Sequence, residues 1–155
     1  MEKEVKKNNK RLSNFFSLDI GNLLSRDYNV VGKSCYIYTS TSFDFDRYEI
    51  SNSPSLETRR VENSEKLIYV SEGDIVVSLI SQRATVVRIK EKMFLSPNYI
   101  KVTPKSLEIP KEYFVYWFNE SYEARKQIEQ GMQGSIINKL SINFLRELNF
   151  TRIEN

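Results

Sequence analysis

The chain has 155 residues and a mass of 18.3 kDa, room for one ordinary domain. With 40% hydrophobic and 28% charged residues, and only 5 Gly and 4 Pro, its composition is globular and not that of a disordered segment. The formal charge of +3 belongs to the first dozen residues, where Lys3, Lys6, Lys7, Lys10 and Arg11 face Glu2 and Glu4. The remainder is balanced, which excludes a polycationic coat for nucleic acid and leaves any anionic partner to local patches.

The missing residue types exclude more. There is no histidine, so Ser-His-Asp and Cys-His machinery and every imidazole metal site are absent. Cys35 stands alone, so no intrachain disulfide and no cysteine metal cluster can form; in Cys35-Tyr36-Ile37-Tyr38 it reads as a half-buried strand residue. The N-terminus is charged from Glu2 onward, unlike a secretory signal, and Ile75–Ile80 is far too short to span a membrane. The expectation is a cytoplasmic protein without a membrane partner.

Residues 1–11 read as a flexible basic arm and 12–155 as a single domain. Leu12, Phe15, Phe16, Leu18 and Ile20 make a first apolar cluster, closed by Gly21-Asn22. Cys35, Ile37 and Thr39 alternate with Tyr36 and Tyr38, the period of a strand. Ser40–Ser64 turns polar and reads as a long, mostly irregular segment, with Phe43-Asp44-Phe45-Asp46 as an amphipathic strand whose acidic side faces water. Leu67–Val70, the turn Ser71-Glu72-Gly73-Asp74, the apolar Ile75–Ile80, the connector Ser81-Gln82-Arg83, the β-branched Ala84–Ile89 and the alternating Tyr99–Thr103 predict one sheet of consecutive strands. Pro110 opens a helix with Phe114, Trp117, Phe118 and Ile128 on its apolar stripe and Gly131 at its C-terminal cap. Ile136-Ile137, a short helix over Ser141–Leu148 and Phe150 complete the chain. The fold class expected is α+β: a twisted, mostly antiparallel sheet with a C-terminal helix packed on it.

No motif builds an active site, a cofactor site or a metal site. There is no phosphate-cradling glycine loop, no dinucleotide fingerprint and no tetrad for base methylation. Asp44 and Asp46 could share a strand face, and a small metal-dependent nuclease using Asp44 or Asp74 remains as a rival. Charge is segregated along the chain: Arg83, Arg88, Lys90, Lys92, Lys101 and Lys105 face Glu91 alone, whereas Glu108, Glu112, Glu120 and Glu123 follow with Lys111. Arg88 and Lys90 alternate with Val87 and Ile89 and so point the same way, either toward an anion or as lysine-type protection of a strand edge. Arg59, Arg60, Gln82 and Arg83 lie in polar connections and have the donors that read base edges, since Arg suits guanine and Gln adenine.

Several segments, in order, resemble the specificity subunits of type I restriction–modification systems. Leu67-Ile68-Tyr69-Val70-Ser71-Glu72-Gly73-Asp74-Ile75-Val76-Val77-Ser78 resembles their strand, turn, Gly-Asp-Ile, strand signature. Ser96-Pro97-Asn98-Tyr99-Ile100-Lys101-Val102 is similar to the strand that follows, and Ile109-Pro110-Lys111-Glu112-Tyr113-Phe114 to the helix opening with Pro-x-x-Tyr. Gly131-Met132-Gln133-Gly134-Ser135 through Leu140, then Phe144-Leu145-Arg146-Glu147-Leu148, is similar to the closing segment, so the likeness runs over about residues 11–150. It implies a non-catalytic target-recognition domain reading one half of a split double-stranded DNA target. Methyltransferase and restriction subunits would be its partners, with a second specificity half completing the target. A full specificity subunit has two such domains joined by long helices, so the resemblance implies at most half of such a subunit. Recognition loops diverge with the target in that family, so Arg59, Arg60, Gln82, Arg83, Arg88 and Lys90 are expected DNA contacts by position and chemistry only. The alternative is a protein-interaction module or regulator of the same complex without DNA reading of its own.

Overall fold

Backbone ladders pair the strands, and a computed structural model describes residues 10–24, 32–133 and 139–151. In chain order the elements are α1 (Leu12–Phe15), β1 (Phe16–Ile20), β2 (Lys33–Ile37), α2 (Ser40–Tyr48), β3 (Glu57–Val61), a single 3-10 turn (Ser64–Lys66), β4 (Tyr69–Val70), β5 (Ile75–Ser78), β6 (Arg83–Val86), β7 (Met93–Phe94), β8 (Tyr99–Pro104), α3 (Lys111–Glu120), α4 (Tyr122–Met132) and α5 (Ile142–Arg146). The α+β class and the largely antiparallel pairing are as expected.

The strands form two four-stranded sheets where one was expected, ordered β1-β8-β5-β6 and β3-β2-β7-β4. Every pairing is antiparallel except β2 with β7. The turn at Ser71–Asp74 sends the chain from one sheet to the other, so β4 and β5 are not neighbours as their sequence spacing suggests. Gly73 takes a left-handed φ of 94° there, and the Asp74 carboxylate accepts the Ser71 N–H at 2.9 Å.

The first sheet is covered on both faces. Phe16, Leu18, Ile75, Val77, Ala84, Ile100 and Val102 share one side by register and pack on Phe114, Trp117, Phe118, Ala124, Ile128, Leu145, Leu148 and Phe150 of the helical layer. Val76 and Tyr99 face the other way, into a second core with Tyr38, Phe43, Val70, Val87, Ile89, Met93 and Leu95. A strand with apolar partners on both faces needs the continuous run seen in Ile75-Val76-Val77. Each such side chain contributes about 1.5–3 kcal/mol by leaving water.

Three expectations are corrected. Phe43-Asp44-Phe45-Asp46 is helical and belongs to α2. Thr39 starts that helix with a capping box: its Oγ1 accepts the Ser42 N–H while Ser42 Oγ accepts the Thr39 N–H. The segment read as mostly irregular is mostly regular, because Glu57–Val61 after the helix pairs with β2. The helix expected from Pro110 to Gly131 is two helices, broken at Ser121, which is extended (ψ 140°) and whose Oγ accepts the Ala124 N–H at 3.0 Å. Gly131 therefore lies inside α4 and not at a cap; a Cβ there would meet the Phe144 ring at 2.2 Å.

Lys10 and Arg11 pair with the C-terminal segment, through Phe150 N–H to Lys10 O at 2.8 Å and the Arg11–Asn149 bridge. Residues 1–9 of the expected arm, and Ile136-Ile137, lie outside the described residues. No described helix is long and apolar enough to cross a membrane.

Candidate nucleic-acid interface

The expected contact residues fall into three places. Arg59 and Arg60 are on β3, the outer strand of the second sheet, and both are exposed. Neighbouring strand residues point to opposite faces, so the pair cannot address one surface together. Arg59 pairs with Glu57 at 3.4 Å on its own strand. Both were expected in a loop; the β-ladder with Lys33–Ile37 overrides that reading.

Gln82 and Arg83 close the β5–β6 hairpin, where Gln82 takes a left-handed φ of 59°. The Gln82 carbonyl accepts from Arg83 Nη1 and from Arg125 Nη2 on α4, each at 3.0 Å. Arg83 is half-buried, and next to it Asn119 of α3 clamps Ala84 through both backbone groups. This hairpin end is tied to the helical layer.

Arg88 and Lys90 lie beyond the other end of β6. The expected strand stops at Val86, yet the in–out alternation continues: Val87 and Ile89 are buried, Arg88 and Lys90 exposed. Asp46 of α2 explains why. Its carboxylate, 3% exposed, accepts the Arg88 N–H at 2.8 Å and the Ile89 N–H at 3.3 Å on Oδ1, and the Tyr38 hydroxyl at 2.8 Å on Oδ2. Burial raises the Asp46 pKa, and the donors from Arg88, Tyr38 and Ile89 oppose that rise. The same burial, with Asp46 beside it, drives the Tyr38 hydroxyl far above its ordinary value.

Arg88 is also held by α2. Its Nη1 donates to the Phe45 carbonyl at 3.0 Å and its guanidinium lies 4.8 Å over the Phe45 ring. Phe45, Ser53, Pro54, Leu56, Arg88, Ile89, Lys90 and Glu91 line an open cleft of about 290 Å³. Arg47 sits over the exposed Tyr48 ring at the end of the same helix. Phe45, Asp46, Arg47 and Tyr48 were missed as a group, because the acidic alternation suggested a strand. Thr39-x-x-Ser42 was the available signal for a helix start.

The other bases of the stretch do not form one face. Lys92 lies over the Tyr69 ring in the second sheet, Lys101 stands 3.9 Å from Asp74, and Lys105 Nζ donates to the Ser13 carbonyl. Asp44 and Asp46 do not pair either: Asp44 is exposed, whereas Asp46 is buried and already has three donors. Among the described residues no three acidic or cysteine side chains converge to hold a metal ion.

No family model matches the sequence, and no curated protein does. Among solved structures, the chain superposes on one described as "Structural basis underlying complex assembly and conformational transition of the type I R-M system", with a TM-score of 0.54 over 88% of this chain. The fold is similar to that of a type I R-M chain. Identity is 11%, so the likeness is one of fold, and the chain spans 31% of that chain's length.

Proposed function

We propose that the chain is a target-recognition module of a type I restriction–modification system. In this reading it binds double-stranded DNA, is itself non-catalytic, and directs methyltransferase and restriction subunits to a sequence. The observation that carries the reading is the fold likeness to a type I R-M chain across 88% of the residues. The ordered segments from Leu67 to Leu148 that resemble specificity subunits support it independently.

Within this reading Arg88 and Lys90 are the leading DNA contacts, since both are exposed and both line the Phe45 cleft. Arg59 and Arg60, exposed on an outer strand and on its opposite faces, would each touch at most separate phosphates. Gln82 and Arg83 are the weaker pair, being drawn toward α4. Phosphate contacts position such a module and a few base contacts specify it.

The test is selection from a pool of randomised duplexes, followed by titration at several salt concentrations. Enrichment of a half-site with binding that weakens steeply as salt rises is the expected result. No enrichment together with no salt dependence would sink the reading. The protein-interaction alternative is favoured by Leu107, Tyr116 and Tyr122, which expose large apolar surface on and beside α3 and α4. Capture of methyltransferase subunits by a chain that binds no DNA would decide for it.

A further inference from the structure

We propose that Asp46 is a positioning residue for DNA contact, fixing the backbone at Arg88 and Ile89 so that Arg88 and Lys90 both face out. The inference rests on the DNA-recognition reading above and names the part of the fold on which that reading depends.

Consecutive N–H groups in a regular strand point to opposite sides, so one neighbouring strand cannot take both Arg88 and Ile89. The Asp46 Oδ1 takes both, at 2.8 and 3.3 Å. It thereby gathers two consecutive N–H groups onto one oxygen where the β6 ladder has ended, and fixes the backbone there. Val87 and Ile89 then fill the core and Arg88 and Lys90 face out. A buried carboxylate is costly to desolvate, and Phe43 already anchors α2 in the same core, so attachment of the helix alone does not call for a charge there. What the Asp46 oxygen adds is an acceptor that fixes the backbone under two exposed bases.

The same helix turn fixes the Arg88 side chain through the Phe45 carbonyl and ring. One guanidinium donor is used in this way and the others remain for a ligand. An arginine set in advance loses less side-chain freedom when it binds. Lys90 makes no ion pair among the described residues, and Glu91 lines the same cleft. The patch therefore works by placement and not by a strong local field.

The experiment is fluorescence anisotropy of the full chain with a labelled random duplex, read as the slope of log affinity against log salt. Each phosphate contact contributes about 0.9 to that slope, so Asp46→Ala should lower its magnitude by about 1.8, the worth of two contacts. Asp46→Asn keeps an oxygen for both N–H groups and should retain the wild-type slope. Adding Arg88→Ala and Lys90→Ala to Asp46→Ala should lower it no further. Mere destabilisation would reduce the active fraction without moving the slope, and the fluorescence of Trp117, buried in the core, reports whether each variant is folded. An unchanged slope in folded Asp46→Ala, or an equal loss in Asp46→Asn, would overturn the inference while leaving DNA recognition standing. If Asp46→Ala does not fold, the surface pair Arg88→Ala/Lys90→Ala decides: an unchanged slope overturns the inference, and a fall of about 1.8 supports it. A wild-type chain without salt-dependent binding would overturn the DNA reading itself.

Discussion

Tyr38 and Asp46 show how one hydrogen bond settles a local structure. The hydroxyl has lost water at a 1% exposed position, and the Asp46 carboxylate accepts its hydrogen bond at 2.8 Å. Tyr38→Phe removes that donor from a buried carboxylate while leaving the ring contact with Tyr99, at 5.2 Å, available. Unfolding in urea should show a loss of about 1–3 kcal/mol, the usual range for an orphaned buried partner. Tyr99 makes a separate prediction. Burial first, and Asp44 second, push its pKa from 10.0 up to about 12. A folded-state pKa above the unfolded one means that the native form keeps the proton longer. Its stabilising contribution is complete below pH 10 and is lost as pH rises toward about 12. Urea midpoints should therefore fall across that interval, and Tyr99→Phe should flatten the fall; identical curves for the two proteins would rule Tyr99 out as the cause.

At the scale of elements, two side-chain amides do what a neighbouring strand would do. Asn119 on α3 accepts the Ala84 N–H at 2.7 Å and donates to the Ala84 carbonyl at 2.8 Å, covering the outer edge of β6. Gln127 on α4 treats Asn149 in the same way, at 2.7 and 2.9 Å. Open edges invite pairing with other chains, and a helix side chain that occupies one removes the invitation. Asn119→Leu should lower stability by about 1–3 kcal/mol and raise aggregation on heating, because both Ala84 groups lose their partner; light scattering during a thermal melt checks it. Gly21 governs another junction. A Cβ there would stand 2.0 Å from the Ser96 carbonyl oxygen, with Leu95 backbone just beyond, so Gly21→Ala must push β1 away from the 95–96 backbone. A lowered melting temperature by several degrees is expected, since backbone cannot swing aside as a flexible side chain can. Neither amide clamp was legible in the sequence, because each depends on a helix and a strand meeting from distant parts of the chain. Strands β5 and β8 were legible, since Ile75-Val76-Val77 and Tyr99–Thr103 carry their burial in their spacing, whereas the polar β3 and the two-residue β7 carry no such signal. The helix α2 was not: Phe43 and Asp46, both buried, sit three apart on one helix face, but Asp44 and Asp46 also fit a strand, and the capping box that decides for the helix uses Ser42 where Glu or Gln is usual.

For the whole molecule, the same divide separates what sequence could and could not give of the candidate site. The outward placement of Arg88 and Lys90 was legible because their alternation with Val87 and Ile89 survives even where the ladder ends, whereas their support from Asp46 and Phe45 spans more than forty residues. The pair Gln82 and Arg83 looked equivalent in sequence, yet the hairpin end is bound to Arg125 on α4. Both regions are joined through β5, whose Val77 lies in the helical core and whose Val76 lies in the core beneath α2. With one strand supplying side chains to two cores, neither core can lose its packing without withdrawing surface from the other. Unfolding should consequently be a single transition. Trp117, the one tryptophan, reports the helical core, and the Tyr38–Tyr99 contact reports the other. Tryptophan fluorescence and near-ultraviolet dichroism from tyrosine should then give coincident urea curves. Val76→Ala, made in the core away from Trp117, should shift both curves together by about 0.5–1.5 kcal/mol, the range for trimming a buried branched side chain. Curves that separate, with the tyrosine signal lost first, would show that the surface carrying Arg88 and Lys90 unfolds independently of the helical layer.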